Sequence, residues 1–550
     1  MNMNDTTGSE SDFDAVCREL AEELRTGELV MDDVEERKRE LAAEYSLSKF
    51  PKHTDILDAV PFDKREELSK KIHRKPVRTQ SGVSPVAIMT SPKMCPHGKC
   101  LYCPGGPASE FSSAQAYTGH EPAAARGQQN EYDPYGQVVL RLEQLRNIGH
   151  PVDKVELILM GGTMTSRSHD YQTWFVKRAL QAMNEYDLSK PPNPSQESFA
   201  QPEEGWEYLE DVIARNETGD IRAVAVTFET KPDWCDIEQI DRMLNLGGTK
   251  TEIGVQTTYE RINREMHRGH GSEASISANK TLRDSGFKVG FHMMPGQPGM
   301  TREMCIEDFN QIFTQPEWKP DYLKIYPTLV VKGTRVFDSW KQDEFDPLTT
   351  EEAAEIVAEI KPDIPRYTRL QRVQRDIPAD FIDGGVQKSN LRQIAHNKMV
   401  ENGEKCTCIR CREVGHHNDT PEQLELDVME YEATGGKEFF ISIEDFDKDI
   451  LVGFCRLRFP DNPHRQELTD AAVIRELHVY GSEMSLSDSS IGASFQHKGF
   501  GTQLMNKAEA IAHDSGYEKL SVISGIGARE YYRNKLGYHI DGPYMSKKIN

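Results

Sequence analysis

The sequence predicts an α/β protein in two halves: a partial (βα) barrel, then a smaller α/β domain, joined by a cysteine-bearing connector. Three observations carry that reading. Between residues 76 and 335, apolar runs of strand length alternate with amphipathic stretches of helix length, the order that builds a parallel sheet. A second, strand-rich series begins after residue 421. Six of the ten cysteines stand in two tight groups, 95–103 and 406–411, a distribution that suits metal ligation in a reducing compartment rather than a disulfide framework.

The elements follow in order. Residues 1–75 form a helical N-terminal region, in which Phe13, Val16, Cys17, Leu20 and Leu24 recur at helical spacing on one face. It runs into the densest positive segment of the chain: Lys64, Arg65, Lys70, Lys71, His73, Arg74, Lys75 and Arg78. That segment is either a solvated helix end or a contact for RNA phosphates. Residues 76–335 form the barrel, with strands expected at 86–89, 155–160, 223–228, 252–256, 289–294 and 323–326. Helices are expected between them at 138–148, 171–186, 237–246 and 274–285. Such barrels place their active sites at the C-terminal strand ends. Polar or glycine-rich residues stand at those ends here: Gly161, Gly162, Glu229, Gln256 and His292. Residues 336–420 are the connector, with Cys406, Cys408 and Cys411 as expected zinc ligands. A structural zinc takes four ligands, and His396, His416 and His417 are all candidates for the fourth. Residues 421–550 form the second domain, with strands expected at 439–443, 450–458, 472–480 and 520–524 and a helix at 502–513.

Composition bounds the partners. At 550 residues the chain is too long for one core. A net charge of −23 argues against nonspecific nucleic-acid binding by the surface as a whole, so any RNA contact must be local. The polar N-terminus shows no apolar signal segment, and no apolar run approaches a membrane span. A cytoplasmic protein without membrane partners is expected, monomeric or homodimeric.

Two motifs carry chemistry. Cys95, Cys100 and Cys103 lie within nine residues, with Tyr102 beside the last. Fe–S clusters are normally closed by four cysteines. A loop of three suits a [4Fe–4S] cluster whose fourth iron is open to S-adenosylmethionine (SAM), the starting point of radical chemistry. A three-cysteine zinc site is the competing reading. In the second domain, Gln496-His497-Lys498-Gly499-Phe500-Gly501 feeds a helix whose free N–H groups and dipole suit a pyrophosphate. This stretch resembles motif A of the GNAT acetyltransferases.

Taken together, the chain resembles the catalytic subunit of Elongator, in its archaeal form. The strings that carry the resemblance include Tyr117-Thr118-Gly119-His120-Glu121-Pro122, Met160-Gly161-Gly162-Thr163, Glu252-Ile253-Gly254-Val255-Gln256, Val373-Gln374-Arg375-Asp376-Ile377-Pro378 and Arg475-Glu476-Leu477-His478-Val479-Tyr480. It covers about residues 75–550 and implies a radical SAM partial barrel joined through a zinc-containing linker to a GNAT-type domain. The implied reaction is carboxymethylation at C5 of the tRNA wobble uridine, with acetyl-CoA as carbon source and the anticodon stem-loop as the RNA partner. The chemistry is consistent: uridine C5 is a weak nucleophile and the acetyl methyl a poor electrophile, so a carbon radical adding to the C5=C6 bond is a reasonable route.

The resemblance also implies roles. Cys95, Cys100 and Cys103 hold the cluster. Gly161 and Gly162 let the amino-acid end of SAM approach the backbone, while Glu229 and Gln256 contact SAM or substrate. Glu476, Leu477, His478 and Val479 present a strand edge to acetyl-CoA. Gly499, Phe500, Gly501 and Thr502 form the phosphate turn. Tyr531, Tyr532 and Glu476 are the candidate catalytic residues near the thioester, Tyr532 also touching the ligand. Lys154, in the barrel half, matches a position implicated in acetyl-CoA contact. Two other classes stand against this reading. A protein lysine acetyltransferase would need only the second domain, and an RNA-binding scaffold would need neither motif intact.

Overall fold

The computed structural model describes residues 12–30, 33–47, 49–61, 82–192, 207–417, 419–480 and 499–549, together with Lys64, Leu68 and Ile72. Of the basic segment expected at 64–78, only Lys64 falls within these residues. Near the N-terminus, helices Asp12–Thr26 and Val34–Glu44 bury Val16, Leu20, Leu24 and Leu41 in a small core of their own.

The barrel sheet consists of β1 (Ser84–Met89), β2 (Lys154–Met160), β3 (Arg222–Thr230), β4 (Lys250–Gln256), β5 (Lys288–Met293), β6 (Tyr322–Ile325) and β7 (Arg369–Arg372). They pair in sequence order, and every pairing is parallel. β1 and β7 remain edges, so the barrel is partial. Strand β2 shows how sequence sets the layers: Val155, Leu157 and Leu159 are buried, while Glu156, Ile158 and Met160 alternate with them on the other face. Helices cover the outer face, and several start on side-chain caps: Asp133 accepts from Gly136 N, Ser168 from Tyr171 N, Asp236 from Gln239 N and Thr301 from Met304 N.

The sheet continues past residue 335. The stretch expected as a connector supplies β7, which pairs with β6, and helix Thr350–Ile360, which buries Ala354, Val357 and Ile360 in the barrel core. Strand β7 reads Arg369-Leu370-Gln371-Arg372, too short and polar to announce itself by pattern.

The second sheet runs β13-β14-β12-β11-β10-β9-β8, with β8 (Glu425–Ala433), β9 (Gly436–Asp445), β10 (Ile450–Phe459), β11 (Ala471–Val479), β12 (Lys519–Val522), β13 (His539–Asp541) and β14 (Tyr544–Lys548). Only β11 and β12 pair in parallel, and their pairing ends at Ile474↔Val522. Beyond that point the two strands diverge, and β11 keeps its neighbour β10 alone, with a register shift that leaves Arg475 as the extra residue of a bulge. Residues 476–479 therefore present one side of their backbone to the space between the strands.

The second domain docks on the N-terminal ends of the barrel strands. Asp321, just before β6, takes Arg475 at 2.7 and 2.8 Å on its two oxygens. Arg475 also donates to Glu438 at 2.8 Å, and Arg283 of the barrel reaches Glu438 at 3.0 Å. Arg458 joins Glu438 at 2.9 Å to Asp284 of the barrel at 2.5 Å. At another point the loop at 525–527 lies flat on β3; a Cβ at Gly525 would fall 1.9 Å from the carbonyl oxygen of Val224.

These carboxylates are fully enclosed. Burial alone would push Asp321 up, but the guanidiniums of Arg283, Arg475 and Arg456 hold it well below the ordinary carboxylate range. Burial likewise acts on Glu438, and the arginines again lower it. A carboxyl depressed in the fold contributes stability above its unfolded value of about 4 and loses it as pH falls below that value. Calorimetry should therefore show the unfolding temperature falling steeply below about pH 4. Arg475→Met, which leaves two buried carboxylates short of their main counter-charge, should cost about 3–5 kcal/mol at neutral pH. An unchanged unfolding temperature in that variant would mean the lattice does not hold the domains together.

Candidate functional site

The C-terminal ends of the barrel strands surround a cavity of about 760 Å³. Cys95, Cys100 and Cys103 line it, from the loop that follows β1. Each sulfur has a donor directed at it: Thr163 Oγ1 at 3.2 Å from Cys95, Arg268 Nη1 at 3.5 Å from Cys100, and the Ala116 backbone N–H at 3.1 Å from Cys103. Burial pushes the Cys103 thiol up to about 12, so it waits protonated until a cation draws off the proton. Three converging thiols with N–H and O–H donors behind them fit an Fe–S cluster.

The expected ligand contacts divide. Glu229 lines the cavity, accepts from the Tyr117 hydroxyl at 2.9 Å and pairs with Lys324 at 2.9 Å. Gln256 ends β4 in a left-handed conformation (φ 70°) unusual for a side chain of its size, and its buried Oε1 has no partner among the described residues. Gly162, at φ 77°, also faces the cavity, where a Cβ would lie 3.6 Å from Cys95 Sγ. Gly161 does something else. A Cβ there would fall 2.0 Å from Thr90 Oγ1, and its φ is 131°, so glycine is required by the packing against the chain after β1 and by the backbone itself.

Beneath the cavity the barrel interior is charged. Lys324 bridges Glu229 and Glu252; Glu252 takes Lys250 at 2.9 Å and His292 Nε2 at 2.9 Å; Lys250 reaches Glu156 at 3.2 Å. Against the upward push of burial, Lys250 and Lys324 hold Glu252 well below the carboxylate range. Glu229, Glu252 and His292 bring ligand atoms within 4.8 Å of one another, but the Lys324 ammonium already pairs with both carboxylates and acts as their cation.

A second site lies at the other end of the strands. Gly499, in the left-handed region at φ 79°, opens helix Phe500–Asp514. Leu477, Gly501, Thr502 and Tyr531 come together here: a Cβ on Gly501 would sit 2.7 Å from the Tyr531 hydroxyl and 3.9 Å from Leu477, and Thr502 bonds the same hydroxyl. The N–H groups of this helix start and the stretch of β11 beyond its pairing with β12 fit the pyrophosphate and pantetheine of acetyl-CoA. Burial raises Tyr531, which stays a hydroxyl donor at neutral pH. His478 packs between Phe454 and Tyr480, and Val479 ends the strand. Gln496, His497 and Lys498 lie outside the described residues.

Two of the candidate catalytic side chains are committed elsewhere. Glu476 is buried, with one oxygen on the Tyr322 hydroxyl of β6 and the other on Arg456 at 2.8 Å; against the upward push of burial Arg456 lowers it, the wrong direction for a general base. Tyr532 is sunk in the domain core against Tyr531 and Tyr538. Lys154 opens β2 opposite Arg222, which pairs with Glu530 of helix Arg529–Leu536 at 3.0 Å. It therefore stands on the barrel face that meets the second domain.

In the linker, Cys406, Cys408 and Cys411 bring their sulfurs within 4.8 Å, a donor set that fits zinc. None of the three candidate histidines joins them: His417 Nε2 contacts the Cys411 carbonyl at 3.0 Å, His416 lies 3.9 Å from Glu413, and His396 is outside the group. Arg268 escapes sequence reasoning, because it belongs to no spaced motif; Lys324 opens the string Lys324-Ile325-Tyr326-Pro327, which belongs to the resemblance, but nothing in the string gives it a role.

Four family models match: the ELP3 N-terminal domain over residues 13–80, the Radical SAM superfamily over 89–312, the Radical_SAM C-terminal domain over 320–401 and the Acetyltransferase (GNAT) family over 408–538. Fold and sites thus define a radical SAM half-barrel fused to a GNAT-like acetyltransferase domain. The tRNA uridine(34) acetyltransferase of Methanocaldococcus infernus is 46% identical, over 91% of this chain and 92% of its own length. Elongator complex protein 3 of Schizosaccharomyces pombe is 42% identical, over 96% and 97%. A solved structure of the archaeal M. infernus Elp3, deleted for residues 1–46, matches with a TM-score of 0.72 at 43% identity, covering 85% of this chain and 99% of that one. The chain belongs to the Elp3 family.

Gly161→Ala tests the packing role. The added methyl must displace Thr90 and should cost about 1–3 kcal/mol even in protein without a cluster. Thr90→Ser, which removes a methyl but leaves the offending Oγ, should not restore stability, whereas Thr90→Ala should restore part of it. Full stability in Gly161→Ala, by thermal unfolding, would return Gly161 to the list of ligand contacts.

Proposed function

We propose that this protein carboxymethylates C5 of the wobble uridine of tRNA, taking the carbon unit from acetyl-CoA by SAM-dependent radical chemistry. The observation that carries the proposal is the pairing, in one chain, of a three-thiol cavity at one end of the barrel with an acetyl-CoA-type cleft at the other. A plain acetyltransferase has no use for the first. Relatives named for acetylation of tRNA uridine 34 support the RNA substrate.

Cys95, Cys100 and Cys103 would hold a [4Fe–4S] cluster with one iron open. When bound, that group supplies the electron that cleaves SAM. The residues of the chain do the rest. Gln256 offers an unpaired amide to whatever enters the cavity. Tyr117 and Lys324 hold Glu229 in place at its wall. In the second domain, the N-terminal N–H groups of helix Phe500–Asp514 hold phosphate, and the edge of β11 aligns the thioester arm. Cys406, Cys408 and Cys411 would hold zinc and brace the linker. A reducing cytoplasm suits such a set of clustered thiols.

The RNA reaches the cavity past arginines. Arg372, Arg375 and Arg410 line it, and Arg410 makes no hydrogen bond or ion pair among the described residues. An unpaired guanidinium half enclosed in a cavity suits a phosphate or a splayed base of a single-stranded loop.

Anaerobically reconstituted protein, dithionite, SAM, methyl-labelled acetyl-CoA and a tRNA transcript test the reaction. Labelled 5-carboxymethyluridine is expected by mass spectrometry of the digested RNA, and none from Cys100→Ala. Label appearing on lysines instead, whether or not the cysteines are intact, would replace the proposal with a protein acetyltransferase. For the RNA contact, Arg410→Ala should weaken tRNA binding and reduce the slope of log K against log salt by about 0.7. An unchanged slope would remove Arg410 from the RNA-binding surface.

A further inference from the structure

The arginines buried in the linker and the interface are matched by carboxylates. Arg412 pairs with Glu444, Arg456 with Glu476, Arg458 with Asp284 and Glu438, and Arg475 with Asp321 and Glu438. Arg268, in the cavity wall, differs from them. It is 5% exposed, yet no carboxylate lies within ion-pair distance among the described residues. Its Nη2 donates to the Gly254 carbonyl at 2.6 Å and to His270 Nε2 at 3.2 Å, the latter an acceptor because His270 Nδ1 engages the Gly271 carbonyl. Its Nη1 points at Cys100 Sγ, 3.5 Å away, and its Nε is buried without a partner. Of the other cations at the cysteine loop, Lys231 is paired with Asp233 at 3.1 Å and Lys99 donates to the Pro104 carbonyl at 3.4 Å.

An isolated buried charge is costly, so a guanidinium kept in such a place implies an anion there. The carboxylates on the cavity wall are engaged elsewhere, Glu229 by Lys324 and Tyr117, Glu121 by Thr118 and Asp376 by Arg372, whereas Arg268 reaches the Cys100 sulfur, which as a cluster ligand is a thiolate. We propose that Arg268 is the buried counter-ion of the cluster held by Cys95, Cys100 and Cys103, and that it raises the cluster's reduction potential through its contact with the Cys100 sulfur. This rests on the reading of those cysteines as cluster ligands. The sign follows from charge: reduction adds one negative charge to the centre, and a fixed cation beside a ligating sulfur favours the more negative state. Arg268 thereby makes the electron needed for SAM cleavage easier to load. It is a positioning and tuning residue, since it acts through the cluster.

The test uses full-length protein reconstituted anaerobically, without SAM, with iron and sulfide measured for each preparation. Potentiometry followed by electron paramagnetic resonance gives the reduced fraction at set ambient potentials. Arg268→Gln should lower the reduced-to-oxidised ratio at a fixed potential at least tenfold, a shift of about 59 mV for a one-electron couple. Arg268→Lys, which keeps the charge, should stay within about threefold of the unmodified protein. A fully loaded Arg268→Gln protein with unchanged potential overturns the proposal, and weaker SAM binding at that unchanged potential assigns Arg268 to the SAM carboxylate instead. If Arg268→Gln retains no iron, Arg268→Lys decides: a loaded cluster near the original potential supports the proposal, and an empty site with intact circular dichroism overturns it. Failure of the unmodified protein to take up iron would remove the cluster reading itself, an outcome distinct from an unmoved potential.

Discussion

Asp321 is the point on which the rest of the molecule turns. It stands at the start of β6, receives the Val289 N–H of β5 at 2.9 Å, and faces the guanidiniums of Arg475, Arg283 and Arg456. One carboxylate thus ties two barrel strands to β10 and β11 of the second domain. Buried ion pairs are weak contributors to net stability, because desolvation offsets their attraction. Their geometry is another matter: a hydrogen-bonded lattice of arginines and acids fits together in one arrangement, whereas apolar surfaces can slide. The bulge at Arg475 serves this arrangement. It delivers the guanidinium to Asp321 while residues 476–479 continue along β10, past the point where pairing with β12 ends.

That arrangement fixes the two sites at opposite ends of the same strands, and the barrel interior lies between them. Glu229, Lys324, Glu252, Lys250 and Glu156 alternate in sign along it, each within contact of the next. Lys250 lies 4.3 Å from the centroid of the Tyr322 ring, whose hydroxyl meets Glu476 on β11. A closed barrel fills its centre with apolar layers; this one is open at an edge and carries charge in its interior. Alternation of sign sets an opposite charge beside each member, three carboxylates to two ammoniums. Near the second domain, burial pushes Lys288 down to about 8 despite the carboxylate of Glu476 nearby.

Much of this was legible in the sequence where hydrophobic pattern and function coincide. The apolar runs behind β2 to β6 and β9 to β12 declare themselves, as do both cysteine groups and the glycine turn before helix Phe500–Asp514. What escaped is polar. β7 has one apolar residue in four, and β8 alternates acids with apolar residues on an exposed flank. The interface arginines look like surface charge until their partners, more than a hundred residues away, are brought to them. Gly161 and Glu476 show a subtler limit. Their strings point to the correct neighbourhood, but a string does not say whether a glycine is small for a ligand or for Thr90, nor that a glutamate's oxygens are already taken.

The charge balance of the chain gains its meaning from this layout. A protein carrying 89 acidic against 66 basic residues repels a polyanion over most of its surface. Many of its arginines are spent internally, on the interface lattice and the linker, where they neutralise buried acids and add nothing to the field outside. Others line the cavity, Arg372, Arg375 and Arg410 among them, at the end where the barrel strands finish. Field lines concentrate in such a cleft. On the proposed function, RNA would be repelled by the flanks and held at the mouth, so that an acidic surface and an RNA substrate become two parts of one selectivity: the overall repulsion would discard nonspecific contacts, and a loop entering the cavity would gain the local contacts to overcome it.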